Sequence, residues 1–148
     1  MSIYIHKSHN VSVIIYHVVC PTKYRRVVVD QPVEKIIRET CLAIAERYDV
    51  HFLEIGADRD HVHFLIQSVP MMLPTRIVQA LKSITAKQVF RLAPQVKKQL
   101  WGGEFWSDGY YIATVGRHGS EGAVSRYVKE QGRDKEYASI HKSQLKLF

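Results

Sequence analysis

His61-Val62-His63 carries the sharpest chemical signal in this 148-residue chain. Alternate residues of a β-strand point to one face, so a strand here projects both imidazoles together and turns Val62 into the core. Two neighbouring imidazoles are a natural half of a metal site. With eight histidines in the chain, the same pattern also suits two unrelated surface histidines on an edge strand. Tyr127 and Gln131 are four residues apart, which on a helix places them on one face, one turn apart. A tyrosine hydroxyl can be a covalent nucleophile where something positions the electrophile and stabilises developing charge. A glutamine carbonyl can be a neutral oxygen ligand. Spacing alone equally allows a helix-surface tyrosine whose ring packs on a neighbour. Lys23, Arg25, Arg26, Lys82, Lys87 and Arg91 are candidate phosphate contacts, or members of an ordinary solvated face. Trp101, Phe105, Trp106, Tyr110 and Tyr111 suit core and sheet packing, with base stacking as the alternative role for one of them. No serine sits in a nucleophile elbow, and there is no phosphate-binding glycine loop.

These side chains need elements to hold them. Val11 to Cys20 is rich in Val, Ile and Tyr, which fit a pleated, half-buried surface, and Pro21 ends the run. Tyr24-Arg25-Arg26 follows as a basic loop. Asp30 with Pro32 close behind marks a helix start. Val33, Ile36, Ile37, Cys41, Ile44 and Tyr48 continue at helical spacing, so the helix runs to about Arg47. Val50 to Ala57 and His61 to Val69 predict a second and third strand, joined through Asp58-Arg59-Asp60 as a short hairpin. A second helix starts near Pro74 with Ile77, Leu81 and Ile84 as its buried stripe. Glu104 to Trp106 and Tyr110 to Val115 predict two short strands. Gly116, Gly119 and Gly122 mark a flexible joint. A last helix is expected from about Glu121 to Gln131, with Gly132 as its C-cap. The order predicts an α+β fold: a ferredoxin-like antiparallel sheet with helices packed on one face.

Composition narrows the partner. Apolar residues make up 46% and charged residues 24% of the chain, the balance of a globular domain rather than a disordered one. Lysine and arginine outnumber aspartate and glutamate by 21 to 14, for a formal net charge of +7. That surplus favours an anionic partner, nucleic acid foremost. Cys20 and Cys41 form no C-x-x-C and no disulfide framework, which fits a reducing cytoplasm. The apolar run from Val11 to Val19 is too short to span a bilayer, and no signal-peptide cleavage site follows it.

Several of these pieces, in this order, resemble one family. Tyr16-His17-Val18-Val19 followed by Thr22-Lys23-Tyr24-Arg25-Arg26 is similar to its first strand and loop. Asp60-His61-Val62-His63-Phe64-Leu65 is similar to its metal strand, with Arg59 where the family usually has proline. Leu81-Lys82-Ser83 falls where a DNA-contacting helix is expected. The segment from Trp101 to Tyr110 is similar to its aromatic segment, and Tyr127-Val128-Lys129-Glu130-Gln131 resembles its nucleophile helix. The family is that of the HUH-type single-tyrosine transposases of small insertion sequences (the two-hundred/six-oh-five, TnpA-like type). The resemblance covers about Val11 to Gln131. The length suits one transposase domain over residues 1–148, with residues 133–148, beyond the resemblance, expected as a loosely ordered C-terminal tail.

The resemblance further implies that His61, His63 and Gln131 bind a divalent metal, Mg²⁺ or Mn²⁺, and that Tyr127 is the catalytic nucleophile. The implied substrate is single-stranded DNA with a hairpin, cut and rejoined through a 5′-phosphotyrosine. The implied assembly is a homodimer with active sites shared between subunits, to which the glycine joint ahead of Tyr127 lends itself. Relaxases and replication initiators share this chemistry, but the short chain without a helicase-like extension argues against them. A domesticated relative acting on chromosomal repeat hairpins is a second rival, which the genomic neighbourhood would distinguish. A non-catalytic nucleic-acid-binding module leaves the combination of His61-x-His63 with Tyr127-x₃-Gln131 unexplained.

Overall fold

The computed structural model describes residues 4–116. Among them a four-stranded antiparallel sheet is built from β3 (Ile14–Pro21), β4 (His51–Asp58), β5 (His61–Ser68) and β6 (Tyr111–Thr114), in the order β4-β5-β3-β6. Helix α1 (Gln31–Tyr48) joins β3 to β4, and α2 (Pro74–Leu92) with the short α3 (Pro94–Gln99) joins β5 to β6. The first and third strands of this sheet are therefore central and the second and fourth are its edges, as expected of a ferredoxin-like α+β fold. A separate two-stranded ribbon pairs β1 (Ile5–His6) with β2 (Val11–Ser12).

Local chemistry accounts for the main elements. Asp30 caps α1, its Oδ1 accepting from the Val33 N–H at 3.0 Å, and Pro32 lies in the first turn, where its missing N–H costs nothing. Asp49 closes the helix in the left-handed conformation at φ 56°, a role asparagine and aspartate tolerate better than most residues. Asp58 pairs with His61 across the β4–β5 hairpin, leaving Arg59 and Asp60 as a two-residue turn. Val62, Phe64 and Ile66 of β5 and Val18 and Cys20 of β3 face the helices. They form one core with Val33, Ile37, Cys41 and Ile44 of α1 and Ile77, Val78, Leu81 and Val89 of α2. Burial pushes both the Cys20 and Cys41 thiols up to about 12, so they act as small apolar core groups and not as nucleophiles.

Three expectations are corrected. The single strand expected over Val11 to Cys20 is divided: Val11–Ser12 pairs with Ile5–His6, and the main sheet takes up the chain from Ile14. The strand expected over Glu104 to Trp106 does not form. A 3-10 turn covers Trp101–Gly103, with Gly102 and Gly103 at φ 81° and 72°, and only the isolated bridge between Thr22 and Trp106 follows. Its backbone is used instead to tie loops, the Phe105 carbonyl accepting from Lys23 N–H and Ser107 N–H donating to the Pro21 carbonyl, each at 2.9 Å. Ile84, expected in the buried stripe of α2, is only half-buried, and Val78, Thr85 and Val89 lie deeper. The helix expected over Glu121 to Gln131, together with Gly119, Gly122, Tyr127 and Gln131, lies outside the described residues.

One buried polar contact anchors the aromatic segment to α2. The Trp106 indole Nε1–H donates to Thr85 Oγ1 at 2.9 Å, and both side chains are buried. Thr85→Val keeps the shape and removes the acceptor, leaving a buried donor unsatisfied. The expected cost is about 1–3 kcal/mol, measured by urea unfolding; an unchanged midpoint would show that the indole finds another acceptor.

Candidate metal centre and nucleic-acid interface

The strand pairing places His61 and His63 on the sheet face opposite the helices. Val62 between them is in the helix-side core, as the alternation requires. β5 is a central strand, so the alternative of two surface histidines on an edge strand does not hold. His61 is 4% exposed and His63 0%. Their ring centroids are 6.3 Å apart with planes tilted by 37°. An imidazole centroid lies about 3.3 Å from an ion bound through nitrogen at about 2.1 Å. The two rings are thus close enough to share one ion, near the upper end of the allowed separation.

Each histidine is prepared differently. His61 Nδ1 lies 2.7 Å from Asp60 Oδ1, and Asp60 Oδ2 accepts from Arg25 Nε at 3.2 Å. Burial alone would raise the Asp60 carboxyl, but the hydrogen bond to His61 and the Arg25 guanidinium outweigh it and hold it below the usual carboxylate value. A carboxylate on Nδ1 fixes the ring and leaves Nε2 with the lone pair a metal needs. Nε2 lies 3.9 Å from Asp58 Oδ2. His63 is shaped by burial. Removal from water, then the positive charge that His17 and His61 can carry, push its imidazole down to about 3, against the opposing pull of Asp58. It is therefore the neutral base, the form that ligates metal.

Two neighbours of His63 escaped sequence reasoning. Gly56 pairs with His63 across β4 and β5, and a Cβ built on Gly56 would collide with the His63 ring, meeting Nε2 and lying 2.6 Å from Cε1. On the other side, the His17 ring lies edge-on at 5.8 Å between centroids, and Tyr111 stands edge-on to His17 at 6.0 Å. His17 stands two positions before Val19, which pairs with His63, so its place at the site follows from the register. Nothing in the sequence alone marks Gly56 before the register is known. Among the described residues no group of three His, Cys, Asp or Glu side chains could hold an ion. The donor set there is two imidazoles, chemically suited to a divalent ion that takes a further ligand from elsewhere.

The six basic candidates divide by position. Lys23 and Arg25 sit in a 3-10 turn in which Tyr24 and Arg25 adopt left-handed φ of 57° and 54°. Thr22 staples this loop to the β4–β5 hairpin, its N–H donating to the Asp60 carbonyl at 2.9 Å and its Oγ1 to the Arg26 carbonyl at 2.7 Å. Of the three basic residues of this loop, Arg25 is joined to His61 through Asp60. Lys23 Nζ is engaged by Glu104 at 2.8 Å and Asp108 at 3.5 Å. Lys82 points its ammonium into the next turn, donating to the carbonyls of Ser107, Asp108 and Gly109 at 2.6, 3.2 and 3.4 Å. Its position explains the shape of the 107–109 turn. Lys87 and Arg91 are exposed on α2, in the helix layer and away from the histidine face. Of the aromatic group, Phe105 and Trp106 are core residues, whereas Tyr110 is 39% exposed under the Lys82 ammonium.

Comparison with known proteins points one way. The family profile described as "Transposase IS200 like" matches residues 10–131. The chain is 31% identical over 121 residues to the ISDra2 transposase TnpA of Deinococcus radiodurans, covering 82% of this chain and 85% of that protein. It is 28% identical over 116 residues to the transposase for insertion sequence element IS200 of Salmonella typhimurium, covering 78% of this chain and 75% of that protein. A crystal structure described as a "putative transposase" from Deinococcus radiodurans R1 superposes with a TM-score of 0.70 at 26% identity, over 84% of this chain and 95% of that one. The matched span runs through the basic loop, the His-Val-His strand and the aromatic segment, and with that agreement of sequence and fold the chain belongs to the IS200-like transposase family.

Proposed function

We propose that this transposase, as a single domain in the cytoplasm, cleaves and rejoins single-stranded DNA at hairpin-bearing element ends through a 5′-phosphotyrosine on Tyr127. The observation that carries the reading is the buried His61–His63 pair on a central strand, one ring oriented by a carboxylate and the other held neutral. In this reading His61, His63 and Gln131 hold a Mg²⁺ or Mn²⁺ ion. Such an ion supplies a Lewis acid for a non-bridging phosphate oxygen. Lys23, Arg25 and Arg26 draw the backbone of the strand toward His61, and Lys82, Lys87 and Arg91 extend the basic surface. The Tyr127 hydroxyl attacks phosphorus, forming the tyrosyl–phosphate bond. The bond from phosphorus to the 3′ oxygen breaks, and that oxygen leaves as a free hydroxyl. The reverse step on another strand restores the phosphodiester and the tyrosine, so no external energy source is needed. The working unit is a homodimer in which one subunit's histidines meet its partner's tyrosine.

Incubation of the protein with labelled hairpin-bearing single-stranded DNA and Mn²⁺ tests this reading. A covalent adduct resistant to denaturant is expected, and binding should weaken steeply with added salt, as counterion release requires. Tight binding without any adduct would reduce the chain to a binding module. Equal affinity for random duplex would remove the single-strand assignment.

A further inference from the structure

We infer that Gly56 is a positioning residue for His63: its bare backbone is the seat on which the imidazole lies, and His17 is the opposing wall that keeps the ring there. A glycine inside a strand weakens it and signals a close approach. Gly56 is in the interior of β4 (His51–Asp58), directly paired with His63. The approaching group is the His63 ring. A Cβ at residue 56 would overlap Nε2 and stand 2.6 Å from Cε1 and 3.2 Å from Cδ2. Ordinary carbon contacts lie at about 3.5–4.0 Å, so the ring would have to retreat by about 1 Å.

The retreat is obstructed. β5 lies between β4 and β3 in the sheet. Gly56 and His17 therefore flank His63 from opposite neighbouring strands. The His17 ring stands edge-on at 5.8 Å and the His61 ring at 6.3 Å between centroids, and His63 has 0% exposure. A ring displaced from Gly56 must rotate its nitrogens out of place or push β4 away from β5. Ligand sites tolerate about 0.5 Å of misplacement, so either outcome spoils the geometry shared with His61. The metal consequence rests on the proposed ligand role of His63; the steric lock does not.

The test is a double-mutant cycle read by two methods. Melting temperature is measured for the wild type, Gly56→Ala, His63→Ala and the double variant. Gly56→Ala should lower it by about 3 °C or more, as overpacking does, or prevent folding. In the His63→Ala background the same substitution should carry no penalty, because the ring it strikes is gone. An equal penalty in both backgrounds, or none in either, overturns the steric lock. Co²⁺ is then titrated into the metal-free proteins and its visible absorption recorded. Gly56→Ala should bind Co²⁺ at least about tenfold more weakly than wild type, with an altered spectrum. Wild-type affinity and spectrum in a folded Gly56→Ala protein would overturn the positioning role. If the wild type itself gives no Co²⁺ spectrum, the ligand assignment of His63 fails, and the thermal cycle still decides the lock.

Discussion

Tyr127→Phe is expected to bind hairpin-bearing single-stranded DNA as the wild type does and to form no covalent adduct. The substitution removes one oxygen and keeps the ring, so folding and DNA affinity should be preserved. Loss of a covalent nucleophile typically lowers turnover by about 10⁴-fold or more, which here means no detectable cleavage in the time the wild type completes it. The chain has eight tyrosines, and three of those described are exposed, Tyr24 at 67%, Tyr4 at 54% and Tyr110 at 39%. Tyr24 lies in the basic loop that is bonded to Asp60, next to His61, and so is the natural competitor. An adduct that persists in Tyr127→Phe, or that disappears only on replacing Tyr24, Tyr110 or Tyr111, would move the nucleophile.

The second large effect concerns the histidine pair. His61→Ala, His63→Ala should lose divalent-ion binding and cleavage together while keeping most of its DNA affinity, which is carried by the basic surface. Circular dichroism and the melting curve establish that the variant is folded. Full cleavage by it, or by wild type in excess chelator, would rule out the metal centre. The same variant tests how the site is assembled. Co-expressed with Tyr127→Phe, it forms mixed dimers in which a shared arrangement leaves one complete site and one doubly broken one. Activity should return to about a quarter of wild type, since about half of randomly paired symmetric dimers are mixed and each has one working site of two. No recovery with mixed dimers present would place each site within one chain.

Much of the scaffold was legible because its signals are local. Asp30 and Pro32 announce α1 by capping chemistry, and the apolar spacing from Val33 to Ile44 gives its buried face. The period-two pattern around His61-Val62-His63 placed both imidazoles on one side and Val62 in the core, which the sheet bears out. The expected alternation of strands and helices also emerged as far as β6, with a ferredoxin-like topology. What was not legible depends on pairing between distant segments. Val11-Ser12 reads as the start of one long strand, because only the partner Ile5–His6 separates it from β3. Glu104 to Trp106 reads as a strand from its aromatic content, yet Phe105 and the following Ser107 give their backbone to loop contacts with Lys23 and Pro21. Asp60 stood next to His61 in the sequence without a role, since its two oxygens bridge His61 and Arg25 only once the hairpin has closed. Gly56 and His17 acquire meaning only through register. Lys82 shows a further limit: its charge suggested a phosphate contact, and only the fold shows that its ammonium closes a turn of its own chain.

The central claim is that Tyr127 becomes covalently joined to the 5′ phosphate of a cut single strand. It is tested most directly by trapping the adduct on hairpin-bearing DNA labelled separately on either side of the cleavage position, then digesting it and identifying the modified peptide by mass spectrometry. The account predicts that the label on the 3′ side stays with the protein, on the peptide containing Tyr127, while the 5′-side fragment is released with a free 3′ hydroxyl. Retention of the 5′-side fragment, modification of a different residue, or cleavage with no protein-bound fragment would contradict it.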